Sequence, residues 1–285
     1  MASKAAVSGE WLWYNALMDK LPITIIIIAR NEESNLRQLL PSLVWAEKVL
    51  VIGNQCTDQT AQVCQELGAE FVASELTDFA QLRDLGRQKV TTPWIFYLDA
   101  DERVTTALLQ ELAESLKDEK TAVFSIRRQN YHYGFLMAHG GWDNDWVTRV
   151  FRRESLQGWQ GEIHESPLFE GEVKKLEQPL WHLTHRCTAE NLAKSSRWTI
   201  KEARLLARAG VKPVTGLTLG RKVIMEFWRR FIRQRGYKDG MAGLVESLTQ
   251  AFNRGFVYMQ VWELQQQPSL SERYQQLEEE AKSQS

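Results

Sequence analysis

The sequence predicts an α/β fold: a mostly parallel sheet flanked by helices, with a helical C-terminal extension. Three observations predict it. Ile23–Ala29 (ITIIIIA) is a continuous run rich in β-branched residues, as in a strand covered on both faces. Apolar runs and helix-periodic stretches then alternate through residue 98, at the spacing of right-handed crossover units. From residue 189 onward, Lys and Arg recur at helical intervals among apolar residues.

Each element has its own signal. After the first strand, Asn31 is a candidate N-cap for a helix whose Leu36, Leu39, Leu40 and Leu43 share a face. Lys48–Ile52 (KVLVI) reads as the second strand. Thr57 or Asp58 can cap the next helix, which Gly68 ends. Glu70–Ala73 is a short third strand, Phe79–Val90 a helix, and Trp94–Leu98, after Pro93, the fourth strand. In such sheets ligands bind beyond the carboxyl ends of the strands. Asn31–Glu33, Gly53–Asp58 and Asp99–Glu102 all fall there. No GxGxxG follows the first strand and no GxxxxGK[ST] occurs, which argues against a Rossmann dinucleotide site and a P-loop.

Composition sets outer bounds. The chain has 285 residues, 44% hydrophobic and 25% charged, with a net charge of −1. That is an ordinary globular balance with no global bias toward nucleic acid. Cys56, Cys64 and Cys187 form no CxxC pair and suit reduced thiols. The first 20 residues lack the apolar core of a signal peptide, and ITIIIIA is too short to span a bilayer. The expected location is the cytoplasm, without a transmembrane helix.

The stretch YLDADERV, residues 97–104, crowds Asp99, Asp101 and Glu102 at the end of a strand. In extended backbone Asp99 and Asp101 point the same way. Paired hard oxygens at that position suit Mg²⁺ or Mn²⁺ beside a diphosphate. The plain alternative is a solvated loop with Thr105 or Thr106 capping the helix that follows.

Four segments in order, PITIIIIARNEESNL, VLVIGNQCTDQT, FAQLRDLGRQKV and WIFYLDADERV, resemble the family 2 glycosyltransferases with a GT-A fold. RVFRR (149–153), GWQGEIHE (158–165), PLWHLTH (179–185) and GYKDGMAGL (236–244) resemble a narrower branch, the lipopolysaccharide core glucosyltransferase type. The likeness covers roughly residues 20–265. It implies that Asp99 and Asp101 are the DxD pair, contacting the ribose and the metal (Mn²⁺ or Mg²⁺) of a nucleotide-diphosphate sugar. It implies that Ala29, Arg30 and Glu32 line the nucleotide pocket, that Gly53 and Asn54 belong to the same donor site, and that Arg83 sits near the base or phosphates. Two positions depart from the family pattern. Gly53 stands where Asp is usual, which removes a side chain that contacts the base or ribose. Asp84 stands where Asn is usual.

Inverting sugar transfer needs a carboxylate to deprotonate the attacking hydroxyl. Glu165 in GEIHES matches the family's His-Glu motif and is the candidate base; Asp143 and Asp145 of GWDNDW are the fallback. A His often completes a GT-A metal site, so His182 is the candidate third ligand, ahead of His185. Trp142, Trp146, Trp159 and Trp181 crowd this region, suiting either a sugar platform or core packing.

Residues 190–240 hold 13 Lys and Arg against 4 Asp and Glu, a local excess of nine positive charges. Lys194, Arg197, Lys201, Arg204 and Arg208 fall at intervals of three and four, and Phe227, Trp228, Phe231 and Ile232 follow among arginines. Such a segment suits an anionic membrane surface or a phosphorylated glycolipid; the plain alternative is a solvated face. No recognition motif points to nucleic acid.

The domain organisation expected is an N-terminal extension (1–20), a catalytic domain (21–188) whose nucleotide half ends near 105, a basic helical region (189–265) and a polar tail (266–285). The activity expected is inverting, metal-dependent transfer of a hexose, first of all glucose from UDP-glucose, to a glycolipid or lipopolysaccharide-core-type acceptor. This would take place in the cytoplasm or at the inner face of its membrane. Rival readings are a polyprenyl-phosphate sugar transferase and a non-catalytic protein of the same fold. A processive synthase is disfavoured, because KSSRW (194–198) lacks the Gln of QxxRW.

Overall fold

A computed structural model describes residues 20–161 and 165–283. Residues 1–19 of the expected extension, and His164 of GWQGEIHE, lie outside the described residues. The chain forms two compact units. One takes the residues up to Gln129 together with Asn144–Leu183, and the other takes Asn130–Asp143 and everything from Thr184 onward.

The first unit is built on a sheet. Strands β1 (Leu21–Ala29), β2 (Ala46–Asn54), β3 (Glu70–Ser74) and β4 (Trp94–Tyr97) run parallel in the order β3-β2-β1-β4. The crossovers are α1 (Glu33–Leu39), extended by a 3₁₀ turn Leu40–Leu43, α2 (Thr60–Glu66) and α3 (Phe79–Gln88). Ile23, Ile25 and Ile27 of β1 are fully buried, as are Leu36 and Leu39 of α1, which explains the continuous apolar run.

Beyond β4 the sheet turns antiparallel. After β5 (Glu102–Arg103) and α4 (Thr106–Ser115) come β6 (Thr121–His132), β7 (Phe135–Leu136) and β8 (Trp146–Arg152). β8 pairs antiparallel with β4, and β6 with β8. β9 (Leu156–Gln160) and β10 (Ser166–Phe169) form a hairpin. β11 (Glu172–Lys175) adds to β6, and β12 (Leu180–Thr184) pairs with β5. The expectation of a mostly parallel sheet therefore describes the nucleotide half, and the full sheet is mixed. This is the GT-A-like α/β architecture that the resemblance implies.

Two caps differ from expectation. Asn31 does not cap α1. It adopts a left-handed φ of 58° and its Oδ1 accepts from the Thr57 N–H at 2.8 Å, tying the β1 loop to the β2 loop. Asp58 precedes the N-cap of α2, and its carboxylate accepts from the Thr60 N–H at 3.0 Å. Gly68 ends α2 at φ 76° as predicted. Thr105 caps α4, its hydroxyl accepting from the Leu108 N–H.

In the second unit, α5 (Thr188–Arg208), α6 (Gly216–Phe227) and α7 (Gly240–Leu264) share a small core of Ala203, Val257, Tyr258 and Val261. The GYKDGMAGL segment is a packing motif. A Cβ on Gly243 would lie 1.9 Å from the Gly236 carbonyl oxygen. The polar tail forms a helix, α8 (Leu270–Ser283), that buries nothing. Among the described residues no helix is long and apolar enough to cross a membrane.

Candidate active site

The carboxyl ends of β1, β2 and β4 place the expected donor residues at one edge of the sheet. Ala29 and Gly53 are register partners on β1 and β2. The Ala29 carbonyl accepts from the Cys56 thiol at 3.3 Å, and the Glu32 N–H donates to the Thr60 hydroxyl at 2.9 Å. Asn54 is buried, and its Oδ1 has no hydrogen-bond partner among the described residues, while Arg30 is exposed at the rim. Gly53 has no room for a side chain, because the ring of Phe71 on β3 lies over it.

The DADE segment is neither an extended strand end nor a solvated loop. The Glu102 N–H donates to the Asp99 carbonyl at 3.0 Å, so the chain turns, and Asp99 and Asp101 meet different partners. The like charges are held by arginines. Arg149 of β8, itself buried, donates to Asp99 and, at 2.8 Å, to Glu102. Arg128 of β6 reaches Glu102 at 3.5 Å and grips Asp145 with two bonds of 2.9 and 3.1 Å. Glu102 is fully buried, and its other oxygen accepts from the Asp99 N–H at 2.9 Å. Burial pushes the Asp99 carboxyl up, but the guanidiniums of Arg149, Arg83 and Arg128 outweigh it and hold it well below the usual carboxylate range.

Arg83 of α3 joins the two halves of this edge. Its guanidinium donates to Glu165 at 3.3 Å and lies 3.7 Å from Asp99. It stacks over the Trp159 ring at 4.6 Å, which leaves it almost no rotational freedom. Asp84, the departure from Asn, accepts from the Trp159 N–H and from Arg87. It therefore fixes the β9 strand that carries Trp159.

On the opposite flank, His182 of β12 sits in register with Glu102, and its Nε2 is 3.5 Å from Asp101 Oδ2. Asp101 and His182 are therefore brought together, as are Asp99, Arg83 and Glu165. His185, three residues on, belongs to the second unit and packs against Glu246. Of the four tryptophans, Trp159 packs under Arg83, Trp146 carries Lys175 at 4.6 Å, Trp142 meets His132 edge to face, and Trp181 is exposed. Arg128 and Arg149 were not among the expected site residues, although Arg149 opens the RVFRR segment. Their pairing with Glu102 spans 26 and 47 residues, and nothing local signals it.

The model of the glycosyl transferase family 2 domain matches residues 24–168, just over half of the chain. The chain belongs to that family. Similar proteins include an uncharacterised glycosyltransferase of Rickettsia bellii, 24% identical over 256 residues, covering 81% of this chain and 83% of that one. A lipopolysaccharide core biosynthesis glycosyltransferase, LpsC of Rhizobium meliloti, is 24% identical over 243 residues, covering 82% and 90%. Among solved structures, S. aureus TarS in complex with UDP-GlcNAc aligns over 87% of this chain and 93% of its own at 12% identity, with a TM-score of 0.44. The family match and these relatives identify the chain as a family 2 glycosyltransferase enzyme.

Proposed function

We propose that this glycosyltransferase moves a hexose, with glucose from UDP-glucose as the leading donor, onto a hydroxyl of a glycolipid or lipopolysaccharide-core-type acceptor, inverting the anomeric centre. The observation that carries this reading is the shared guanidinium of Arg83, which links the candidate base Glu165 to the donor-side carboxylate Asp99. A base and a donor site must face each other across one reacting carbon, and Arg83 supports that relation.

Glu165 would take the proton of the acceptor hydroxyl as the new glycosidic bond forms and the nucleoside diphosphate departs. Arg83 holds the Glu165 carboxylate in place, and the Trp159 ring beneath holds Arg83. Asp99, oriented by Arg149 and Arg83, would meet the ribose side of the donor. Ala29, Arg30, Glu32, Gly53 and Asn54 would border the nucleotide. A divalent ion fits Asp101 and His182, an oxygen and a nitrogen 3.5 Å apart and both part-exposed, which leaves further positions to water and phosphate oxygens. When bound, Mn²⁺ or Mg²⁺ would offset the charge of the departing diphosphate.

The acceptor class draws support from the printed function of the R. meliloti relative and from the basic helices. Arg221, Ile224, Trp228 and Ile232 are exposed on one side of α6 and its continuation. Cations interleaved with aromatic and aliphatic side chains suit an anionic membrane interface. The test is thermal-shift binding of UDP-glucose, UDP-GlcNAc, UDP-galactose and GDP-mannose, each with Mn²⁺ and with EDTA, on the wild type and on Asp101→Ala. A metal-dependent shift with one nucleotide, lost in the variant, supports the donor assignment. A shift that survives both EDTA and Asp101→Ala overturns the metal role.

A further inference from the structure

The second unit buries a cluster that sugar transfer does not use. His132, at the end of β6, is fully enclosed, and Glu246 on α7 is 1% exposed. His185 follows β12 and remains part-exposed. His132 Nδ1 lies 3.2 Å and His185 Nδ1 2.9 Å from the same oxygen, Glu246 Oε2. The three potential ligand atoms all lie within 4.8 Å of one another. The other Glu246 oxygen accepts from Gln250 Nε2 at 2.8 Å, which fixes the plane of the carboxylate. The two imidazole rings sit with centroids 4.4 Å apart.

Folding alone gives little reason for this arrangement. A buried carboxylate between two imidazoles costs desolvation that apolar residues of the same volume would avoid. The backbone is also held in an uncommon conformation here. His185 has φ 49° and Tyr133, next to His132, has φ 53°, and the Tyr133 N–H donates to the His185 carbonyl at 3.0 Å. Two neutral imidazoles and one ionised carboxylate are an established donor set for zinc. At metal–ligand distances near 2.1 Å, a tetrahedron has edges of about 3.4 Å. The separations of 2.9 and 3.2 Å are close to those edges, so a small expansion admits an ion. Nitrogen donors select a transition-metal ion over Mg²⁺. Gln250 supplies the outer hydrogen bond that orients the carboxylate ligand. The part-exposed edge of His185 gives the ion a way in.

We propose that His132, His185 and Glu246 bind one zinc-class divalent ion, a structural site separate from the Asp101–His182 pair. The ion would clip the end of β6 and the residue after β12 onto α7, all within the second unit. The probe is Co²⁺ and Zn²⁺ titrated into the full chain after exhaustive dialysis against a chelator, with metal content measured by mass spectrometry. The expected result is one tightly held equivalent, visible d–d absorption from Co²⁺ that Zn²⁺ abolishes, and a rise in Tm with Zn²⁺. Glu246→Gln and His185→Ala should each lose that equivalent, while an Asp101→Asn, His182→Ala double variant keeps it. The proposal is overturned if the wild type binds no ion, if the double variant loses all bound metal, or if the equivalent survives in both triad variants. In any of these cases the triad is a hydrogen-bonded His–Glu–His cluster only. Should the triad variants fail to fold, the double variant still decides.

Discussion

Replacing Gly53 by Ala tests the most conspicuous departure from the family pattern. A Cβ at that position would lie 2.2 Å from Phe71 Cζ and 2.5 Å from Cε2. Relaxed carbon contacts are about 3.5–4.0 Å, so the ring must move by more than about 1 Å. Phe71 packs against the main hydrophobic core, so its motion disturbs neighbours as well. Overpacking of this kind costs about 1–3 kcal/mol. Stiffening the unfolded chain by Gly→Ala offsets about 0.4–1 kcal/mol of that. The expected net loss for Gly53→Ala is therefore about 1–2 kcal/mol, mostly from the clash. Phe71→Ala removes the obstacle while losing its own packing. The double variant should then be more stable than the sum of the single changes by about 1–2 kcal/mol, the coupling expected of residues in contact. Urea denaturation of the four proteins, followed by tryptophan fluorescence, measures the cycle. Additivity within about 0.5 kcal/mol would refute the reasoning, because the ring would then not be what excludes a side chain at residue 53.

Four further outcomes are expected. Glu165→Gln should keep donor binding in the thermal-shift panel but lower kcat by about 10²–10⁴-fold, as loss of a general base does; an unchanged kcat removes Glu165 from that role. Arg149→Met leaves Glu102 buried beside a lost partner and should destabilise the fold by about 3–5 kcal/mol, with Glu102→Gln in the same background recovering part of the loss in denaturant unfolding. Burial pushes the Cys64 thiol up to about 11, so a thiol reagent at pH 8 should modify Cys56 and Cys187 quickly and Cys64 only after denaturation. Burial raises the Glu226 carboxyl, but bonds from Arg229 and Arg230 outweigh it and set it below its ordinary 4.5. A depressed folded-state pKa stabilises above the unfolded value and is lost as pH falls, so Glu226→Gln should flatten the decline of Tm below pH 5.

The sheet was legible because burial on both faces writes itself as a continuous run, and Ile23–Ala29 and Trp94–Leu98 carry almost nothing else, Thr24 being satisfied by the Thr92 hydroxyl. Loop chemistry was less legible. Asn31 has the residue type of an N-cap, but its side chain bonds across to the next loop, and no local signal separates the two uses. The pairing of Asp99 with Asp101 presumed extended backbone, whereas one hydrogen bond from the Glu102 N–H turns the chain and splits them. His182 was anticipated beside the Asp99–Asp101 segment through the family pattern, and the strand register with β5 puts it there. His185, in the same short motif, turns left-handed and leaves for a different unit. Arginine partners were the largest omission, since Glu102 draws its counter-ions from β6 and β8, strands that sequence spacing does not connect to it.

Those partners bear on metal dependence. Asp99, Glu102, Asp145 and Glu165 bring four carboxylates to one network of ion pairs with the three guanidiniums of Arg83, Arg128 and Arg149, and Asp101 pairs with His182 beside it. Arg128 serves Glu102 and Asp145, Arg149 serves Glu102 and Asp99, and Arg83 is shared between Asp99 and Glu165. The network therefore enters the reaction short of positive charge at the edge where a diphosphate would have to sit. Like charges a few ångströms apart at a part-buried site repel by several kcal/mol at an effective dielectric of about 20. Under the proposed donor assignment an anionic donor would bring a cation with it, and Asp101 with His182, an oxygen and an imidazole nitrogen 3.5 Å apart, would be where that cation is held. The arginines thus do two things at once. They hold the acidic turn together through Asp99 and Glu102, and on the proposed reading their engagement there would leave the charge of the donor to a metal ion.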